Sequence, residues 1–167
     1  TKCPFAGKQM NSALSFTNSP YTSFMHETKI RLSNGIELHV EMGGNPQDPA
    51  IMLIMGLGAQ MLFWPDFFCK SLIDQGYRVI RFDNRDIGLS SKIRHSGPRL
   101  NTFKLMGRFA LGLENQGAPY NLYDMAEDAA LLIEHLGLET VSVLGASMGG
   151  MIAQILAAKY PEKVNTL

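Results

Sequence analysis

Alternation of apolar and polar residues near the start of the chain predicts a β-hairpin. Thr28–Leu32 and Ile36–Met42 both alternate, and Ser33-Asn34-Gly35 lies between them. An Asn-Gly pair between two such runs is a strong hairpin signal, because both residues accept the backbone angles of a tight turn. We therefore expect the first two strands to be antiparallel. Residues 1–24 are rich in Ser, Asn, Thr and Gly without periodicity, and we interpret them as a loosely ordered N-terminal arm.

From Ala50 onward, continuously apolar strands alternate with amphipathic helices. The predicted strands are Ala50–Met55, Tyr77–Phe82 and Thr140–Leu144. One helix starts at Pro65 and ends at Gly76, with Trp64, Phe67, Phe68 and Leu72 at helical spacing; the others are Asp124–Leu136, followed by Gly137, and a helix from Met148 that Pro161 terminates. Such alternation is typical of βαβ units. We predict an α/β fold, with five strands in a mostly parallel twisted sheet and helices on both faces.

Composition narrows the class of protein without identifying its chemistry. Among the 167 residues, 15 basic side chains balance 15 acidic ones, so no net field attracts nucleic acid or an anionic membrane. No apolar run has the length of a membrane span. Two cysteines, Cys3 and Cys69, are too few for a disulfide framework, and Cys69 is interpreted as a small core residue. We expect a cytoplasmic protein, with a secreted or periplasmic one as the alternative, that needs no cofactor and no metal.

The segment Gly145-Ala146-Ser147-Met148-Gly149 lies where a buried strand changes into a helix. It has the pattern Gly-x-Ser-x-Gly, in which the serine occupies a sharp turn and its oxygen stands clear of the sheet. Side chains at positions 145 and 149 would collide with nearby backbone. The alternatives are a glycine-rich turn without chemistry and a phosphate-binding loop, but the latter requires Lys where Met151 stands. We predict that Ser147 is a catalytic nucleophile.

A serine that attacks a carbonyl also needs an oxyanion hole, which is usually built from two backbone amides. The first is predicted to come from Met148, at the start of the helix, where the helix dipole favours negative charge. The second is predicted to come from Leu57 in the turn Met55-Gly56-Leu57-Gly58, directly after the first parallel strand. A purely structural glycine turn is the alternative for that segment.

Other polar residues are interpreted as structural. In the segment Asp83–Ser90, which follows the next strand, we expect Asp83 and Arg85 to bond the backbone of their own loop. None of the four histidines lies where a parallel strand would deliver a catalytic base, and all are expected to be structural: His26, His39, His95 and His135.

Several motifs together resemble the α/β-hydrolase superfamily, and within it the branch that contains aclacinomycin methylesterase. They are Met55-Gly56-Leu57-Gly58, Phe63-Trp64-Pro65, the run from Gly76 to Ser90, Pro119-Tyr120 with Asp124-Met125-Ala126, and Gly145–Gly150. The resemblance runs from about Thr28 to the last residue. Two positions depart from the wider family, since Met55 stands where many members have His and Asp86 where many have Gly.

The resemblance implies that a triad acid and histidine follow the serine in the chain. Only twenty residues follow Ser147, and none of them is Asp or His. We therefore expect residues 25–167 to be the N-terminal part of a single domain, completed by the C-terminal remainder of the same enzyme. Without that remainder, the strand Thr140–Leu144 is expected to be an uncovered sheet edge.

The leading functional hypothesis is a serine esterase or lipase that acts on a small-molecule ester. A second hypothesis keeps the serine but changes the reaction to C–C bond hydrolysis, perhydrolysis or amide cleavage. The third is a non-catalytic binding protein on a hydrolase scaffold. Serine at the elbow argues against haloalkane dehalogenase and epoxide hydrolase chemistry, which the resemblance associates with an aspartate nucleophile.

The segment Leu100–Leu113 is either an ordinary surface loop or an amphipathic helix that lines the substrate pocket. Its possible apolar face comprises Phe103, Met106, Phe109, Ala110 and Leu113. If this face binds an acyl chain, Phe109→Asp should lower kcat/KM more for long-chain than for short-chain esters. An equal loss across chain lengths would indicate general destabilisation instead.

Overall fold

The computed structural model describes residues 24–93, Gly107, Leu111 and residues 119–167. Its strands are β1 (Met25–Arg31), β2 (Glu37–Gly43), β3 (Ala50–Ile54), β4 (Arg78–Phe82), β5 (Val141–Gly145) and β6 (Val164–Thr166). Its α-helices in these ranges are α1 (Asp66–Asp74), α2 (Leu122–His135) and α3 (Met148–Lys159), and short 3-10 turns cover Met61–Phe63 and Pro161–Lys163.

Two predicted segments fall mainly outside the described residues. Of the expected N-terminal arm, only Phe24 is described. Of Leu100–Leu113, only Gly107 and Leu111 are described, and the Leu111 amide donates to the Gly107 carbonyl at 3.2 Å, the spacing of one helical turn.

The described strands form one sheet in the order β1-β2-β4-β3-β5-β6. β1 pairs with β2, and β2 with β4, in antiparallel orientation. The other four strands, which lie in the order β4, β3, β5 and β6, run parallel. Along the chain, a helix lies between each of these strands and the next, and such crossover connections join parallel strands. The prediction of a hairpin followed by a mostly parallel sheet is confirmed. Gly35 in the hairpin turn has the positive φ, 86°, that glycine adopts without strain.

The expectation that Thr140–Leu144 forms an uncovered edge is wrong, because a short sixth strand pairs with β5. Pro161 follows α3, and a 3-10 turn redirects the chain so that Val164 lies opposite Val141. β-Branched residues favour extended backbone, but three residues are too few to be recognised from periodicity. The pairing of β5 with β6 stops before Leu144, which is 41% exposed.

Helices cover both faces of the sheet, as predicted. α1 packs on one face, where Met25, Leu53, Cys69 and Val79 are buried together. Burial raises the pKa of the Cys69 thiol, so that Cys69 stays neutral in this core. This agrees with its interpretation as a small core residue. α2 and α3 pack on the other face over a larger cluster, which includes Leu38, Val40, Met52, Ile54, Ile80, Phe82, Met125, Ala129, Leu132, Ile133, Val143, Ile152 and Leu156.

The ends of α1 follow the local signals, and its buried side is the predicted one at every position of the stripe but Phe67. Pro65 precedes the helix, and Gly76 follows it in the left-handed conformation, with φ 84°. Phe67 belongs to the predicted apolar stripe but is 78% exposed. The other three residues of the predicted stripe, Trp64, Phe68 and Leu72, pack against the buried cluster around Cys69.

α2 begins at Leu122, two residues earlier than predicted, because Asn121 caps it. The Asn121 side-chain oxygen accepts hydrogen bonds from the amides of Tyr123 and Asp124, at 2.7 and 3.2 Å. The Asp124 carboxylate accepts from the Asn121 amide at 2.7 Å. This reciprocal capping box satisfies helix amides that would otherwise lack partners.

A buried ion pair joins α2 to the segment after β4. Arg85 donates from Nε and Nη2 to the two carboxylate oxygens of Asp128, both at 2.6 Å. Asn34 in the hairpin turn donates to the same carboxylate at 2.8 Å. The prediction that Arg85 bonds its own loop backbone is therefore wrong. A guanidinium presents a planar fork that fits a carboxylate, and periodicity cannot show that α2 places an aspartate opposite it.

Asp128→Asn should destabilise the protein by about 3–5 kcal/mol, because the Arg85 charge then remains buried without a counter-charge. Urea unfolding measures the change. The control is Asp74→Asn, since Asp74 pairs with Lys70 on the exposed side of α1 and such pairs contribute about 0.5 kcal/mol or less. Equal effects of the two substitutions would contradict the structural role assigned to Asp128.

Candidate active site

Ser147 lies between the end of β5 and the first residue of α3, and this residue is exposed to solvent. Its backbone angles are φ 54° and ψ −122°, a combination that residues with a Cβ rarely adopt. Asp86 and Ser147 are the non-glycine residues with positive φ in the described parts of the chain. The sharp turn predicted at this position is therefore present, and it presents the serine on the outside of the strand-to-helix junction.

Two glycines allow this turn because the backbone around it is closely packed. A Cβ on Gly145 would overlap the carbonyl group of Gly149, and a Cβ on Gly149 would overlap the carbonyl oxygen of Ile54. The collisions expected at positions 145 and 149 are thus found in the structure. They also show that the first turn of α3 rests directly on the end of β3.

The pairing of β3 with β5 brings the glycine turn after β3 to Ser147. Ile54 lies opposite Gly145 in the parallel register, and its carbonyl oxygen accepts a hydrogen bond from the Ala146 amide at 3.0 Å. A Cβ built on Gly56 would lie 3.5 Å from Ser147 Oγ. Residues that are about ninety positions apart in the sequence therefore share one site.

The two predicted oxyanion donors lie on the segments that meet here. Neither the Leu57 amide nor the Met148 amide donates a hydrogen bond to another residue in the described parts of the chain. Residues Gly56 to Ala59 form a tight turn, closed by a hydrogen bond of 3.3 Å from the Ala59 amide to the Gly56 carbonyl, with Gly58 at φ 70°. Both amides are thus free to donate to a ligand beside Ser147.

Asp83, at the end of β4, bonds loop backbone as predicted. Its carboxylate accepts hydrogen bonds from the Met61 amide at 2.8 Å and from the Leu89 amide at 3.1 Å. It also lies 3.2 Å from Nδ1 of His39. Asp83 is buried, so these donors replace the water that a carboxylate otherwise requires.

The backbone conformation at position 86 explains why many members of the resembled family have glycine where this chain has Asp86. Its φ of 68° is a conformation that glycine adopts without strain. In this chain the carboxylate of Asp86 accepts hydrogen bonds from the Ile93 amide, at 2.6 Å, and from the Tyr120 hydroxyl. Burial, and then this hydrogen bond, raise the pKa of Tyr120 well above its ordinary value. The added bonds oppose the strain of an aspartate at this position.

The described histidines lie away from Ser147. His39 is buried on β2, with Nδ1 facing Asp83 and Nε2 lying 2.6 Å from Glu27. Two strands separate β2 from β5, which corresponds to roughly 14 Å at ~4.8 Å per strand. His26 is exposed on β1, and His135 is the last residue of α2, before β5 begins. His95 lies outside the described residues.

Sequence reasoning missed Asn84. Its buried side-chain amide donates to the Met55 carbonyl oxygen at 2.9 Å, immediately before the glycine turn. The available signal was a polar side chain at the carboxyl end of a parallel strand, where ligands bind in open α/β sheets.

The described residues contain no group of three or more His, Cys, Asp or Glu residues arranged to hold a metal ion. No helix within the same ranges has the length and apolar character needed to cross a membrane.

Comparison with known proteins identifies the fold family. The alpha/beta hydrolase fold family matches residues 49–167. Rhodomycin D methylesterase DnrP of Streptomyces peucetius is 31% identical over 140 residues, which are 84% of this chain and 40% of that protein. The crystal structure of a membrane phospholipase A, a bacterial virulence factor, is 28% identical with a TM-score of 0.64, over 84% of this chain and 37% of that one.

A carboxylesterase structure from the thaumarchaeon Nitrososphaera gargenis has the same fold, with 24% identity and a TM-score of 0.63 over 83% of this chain and 43% of that one. The chain spans 40% of the length of the methylesterase it matches. The matched residues 49–167 include β3, its glycine turn, β5 and the turn at Ser147. The resemblance predicted from the motifs is confirmed, and the chain belongs to the α/β-hydrolase fold family.

Proposed function

We propose that this chain carries the nucleophile of a hydrolase that cleaves carboxylic esters, and that Ser147 is that nucleophile. The observation that carries the proposal is the backbone of Ser147, with φ 54° and ψ −122° at an exposed strand-to-helix turn. Such strain costs about 1–3 kcal/mol, persists only where surrounding structure imposes it, and clusters at active sites. Close packing of Gly145, Gly149 and Ile54 imposes it here.

In the proposed reaction, Ser147 Oγ attacks the ester carbonyl carbon and its proton passes to a histidine. The amides of Leu57 and Met148 donate hydrogen bonds to the oxyanion of the tetrahedral intermediate. The C–O bond then breaks, and the alcohol leaves with the proton from the histidine. Water repeats the sequence on the acyl-enzyme and releases the acid. The chemistry requires no cofactor.

The histidine and its acidic partner are proposed to lie outside residues 1–167. His39, the buried histidine on β2, already faces Glu27 and Asp83, and two strands lie between it and β5. The chain also spans only 40% of the length of the methylesterase relative. A longer protein therefore supplies the rest of the triad in this proposal.

The relatives support an ester as the substrate class. Rhodomycin D methylesterase and the carboxylesterase are named as ester hydrolases. An ester carbonyl beside Ser147 would also give the amides of Leu57 and Met148 the acceptor that they lack among the described residues.

Ser147→Ala in the full-length protein should lower kcat for a short p-nitrophenyl ester by about 10⁴-fold or more, because the attacking oxygen is removed. A fluorophosphonate should label the wild-type protein at Ser147, as peptide mass spectrometry would show, and should not label the variant.

The matched control is Ser71→Ala, which removes an exposed hydroxyl from α1 and should leave turnover and labelling unchanged. Labelling at another residue, or undiminished turnover by Ser147→Ala, would refute the assignment of the nucleophile.

A further inference from the structure

The glycine turn that carries Leu57 is held on both sides where it leaves β3. On the β5 side, the Ile54 carbonyl oxygen accepts from the Ala146 amide at 3.0 Å. On the β4 side, the next carbonyl oxygen, that of Met55, accepts from Nδ2 of Asn84 at 2.9 Å. The first contact is backbone to backbone and belongs to the strand pairing. The second depends on a single side chain.

Asn84 is itself rigidly placed. It is 2% exposed, and its backbone carbonyl oxygen accepts a hydrogen bond from the Ile87 amide at 3.0 Å. Its neighbour Asp83 holds the far end of the same segment through the Met61 amide, at 2.8 Å. Two consecutive residues at the end of β4 thus hold residues 55–61 at its beginning and at its end.

The orientation of the Met55 carbonyl controls the direction of the turn that follows. A hydrogen bond fixes the plane of the Met55–Gly56 peptide, because the peptide group is planar. The next peptide bears the Leu57 N–H, and its carbonyl, that of Gly56, closes the turn with the Ala59 amide. Without Asn84, the Met55 carbonyl loses this partner, and the glycine at position 56 offers little resistance to rotation.

We propose that Asn84 is a positioning residue for the oxyanion hole, which acts by aiming the Leu57 amide at the developing oxyanion. This inference rests on the proposed function of Ser147 and Leu57. Asn84 does not touch the ester. Its effect appears in the step where charge develops on the carbonyl oxygen, because a misplacement of about 1 Å can cost roughly 10²-fold in rate.

The experiment compares an ester with the corresponding thionoester, in which sulfur replaces the carbonyl oxygen. Sulfur is a weak hydrogen-bond acceptor, so turnover of the thionoester depends less on oxyanion donors. In the full-length protein, Asn84→Ala should lower kcat for the ester about 10- to 100-fold. KM should change less than about twofold, and kcat for the thionoester should fall less than about threefold. The preference for the ester over the thionoester should therefore shrink.

Asn84→Asp is the second variant, because it keeps the shape of the side chain and replaces the donor by a carboxylate oxygen. It should shrink the same preference at neutral pH, and it provides the measurement if Asn84→Ala does not fold. The matched control is Ser90→Ala. Ser90 is also buried after β4, and its hydroxyl donates to the Asp83 carbonyl at 2.6 Å. Its loss should lower turnover of both substrates by the same factor.

An unchanged preference in a folded Asn84 variant, with turnover that still depends on Ser147, would overturn this inference and leave the proposed function standing. Wild-type turnover that does not depend on Ser147 would overturn both. A thermal melt of each variant establishes that it is folded.

Discussion

The parallel pairing of β3 with β5 is the constraint on which the candidate site depends. Parallel strands end at the same edge of a sheet, so the turn after β3 and the turn after β5 are neighbours. The register fixes how closely they approach, since Ile54 lies opposite Gly145. The absence of a side chain at Gly149 then allows α3 to begin against the Ile54 carbonyl. A shift of one residue in this register would separate Gly56 from Ser147.

The end of β4 organises the other side of the site. β4 lies between β2 and β3, and the four residues that follow it connect several parts of the molecule. Asp83 contacts Met61 and Leu89, and Asn84 contacts Met55. Arg85 pairs with α2, and Asp86 bonds Ile93 and Tyr120, which lie on either side of residues 94–118. Buried polar groups are retained where each finds a partner, and here the partners connect the loops to one another.

Local chemistry could be predicted from the sequence, whereas long-range partners could not. Some signals act within a few residues and can be recognised in the sequence. They are Asn-Gly at a hairpin turn, Gly76 after a helix and Gly-x-Ser-x-Gly at a strand-to-helix junction. The pairing of Arg85 with Asp128 depends on how α2 is rotated over the sheet. The role of Asn84 depends on which strand lies beside β4. Phe67 is exposed although its neighbour Phe68 is packed, because successive residues of a helix point about 100° apart and only one of the two faces the sheet.

The carboxylate of Asp128 also has a consequence for the timing of biosynthesis. It joins Asn34, 94 residues earlier in the chain, to Arg85. At a ribosomal rate of about 5–20 residues per second, roughly 5–20 seconds separate the synthesis of the hairpin turn from that of its partner. Until Asp128 has been made, the face of the hairpin that α2 covers is bare, and Arg85, once synthesised, has no buried counter-charge. The N-terminal hairpin therefore reaches its final packing only after α2 has left the ribosome.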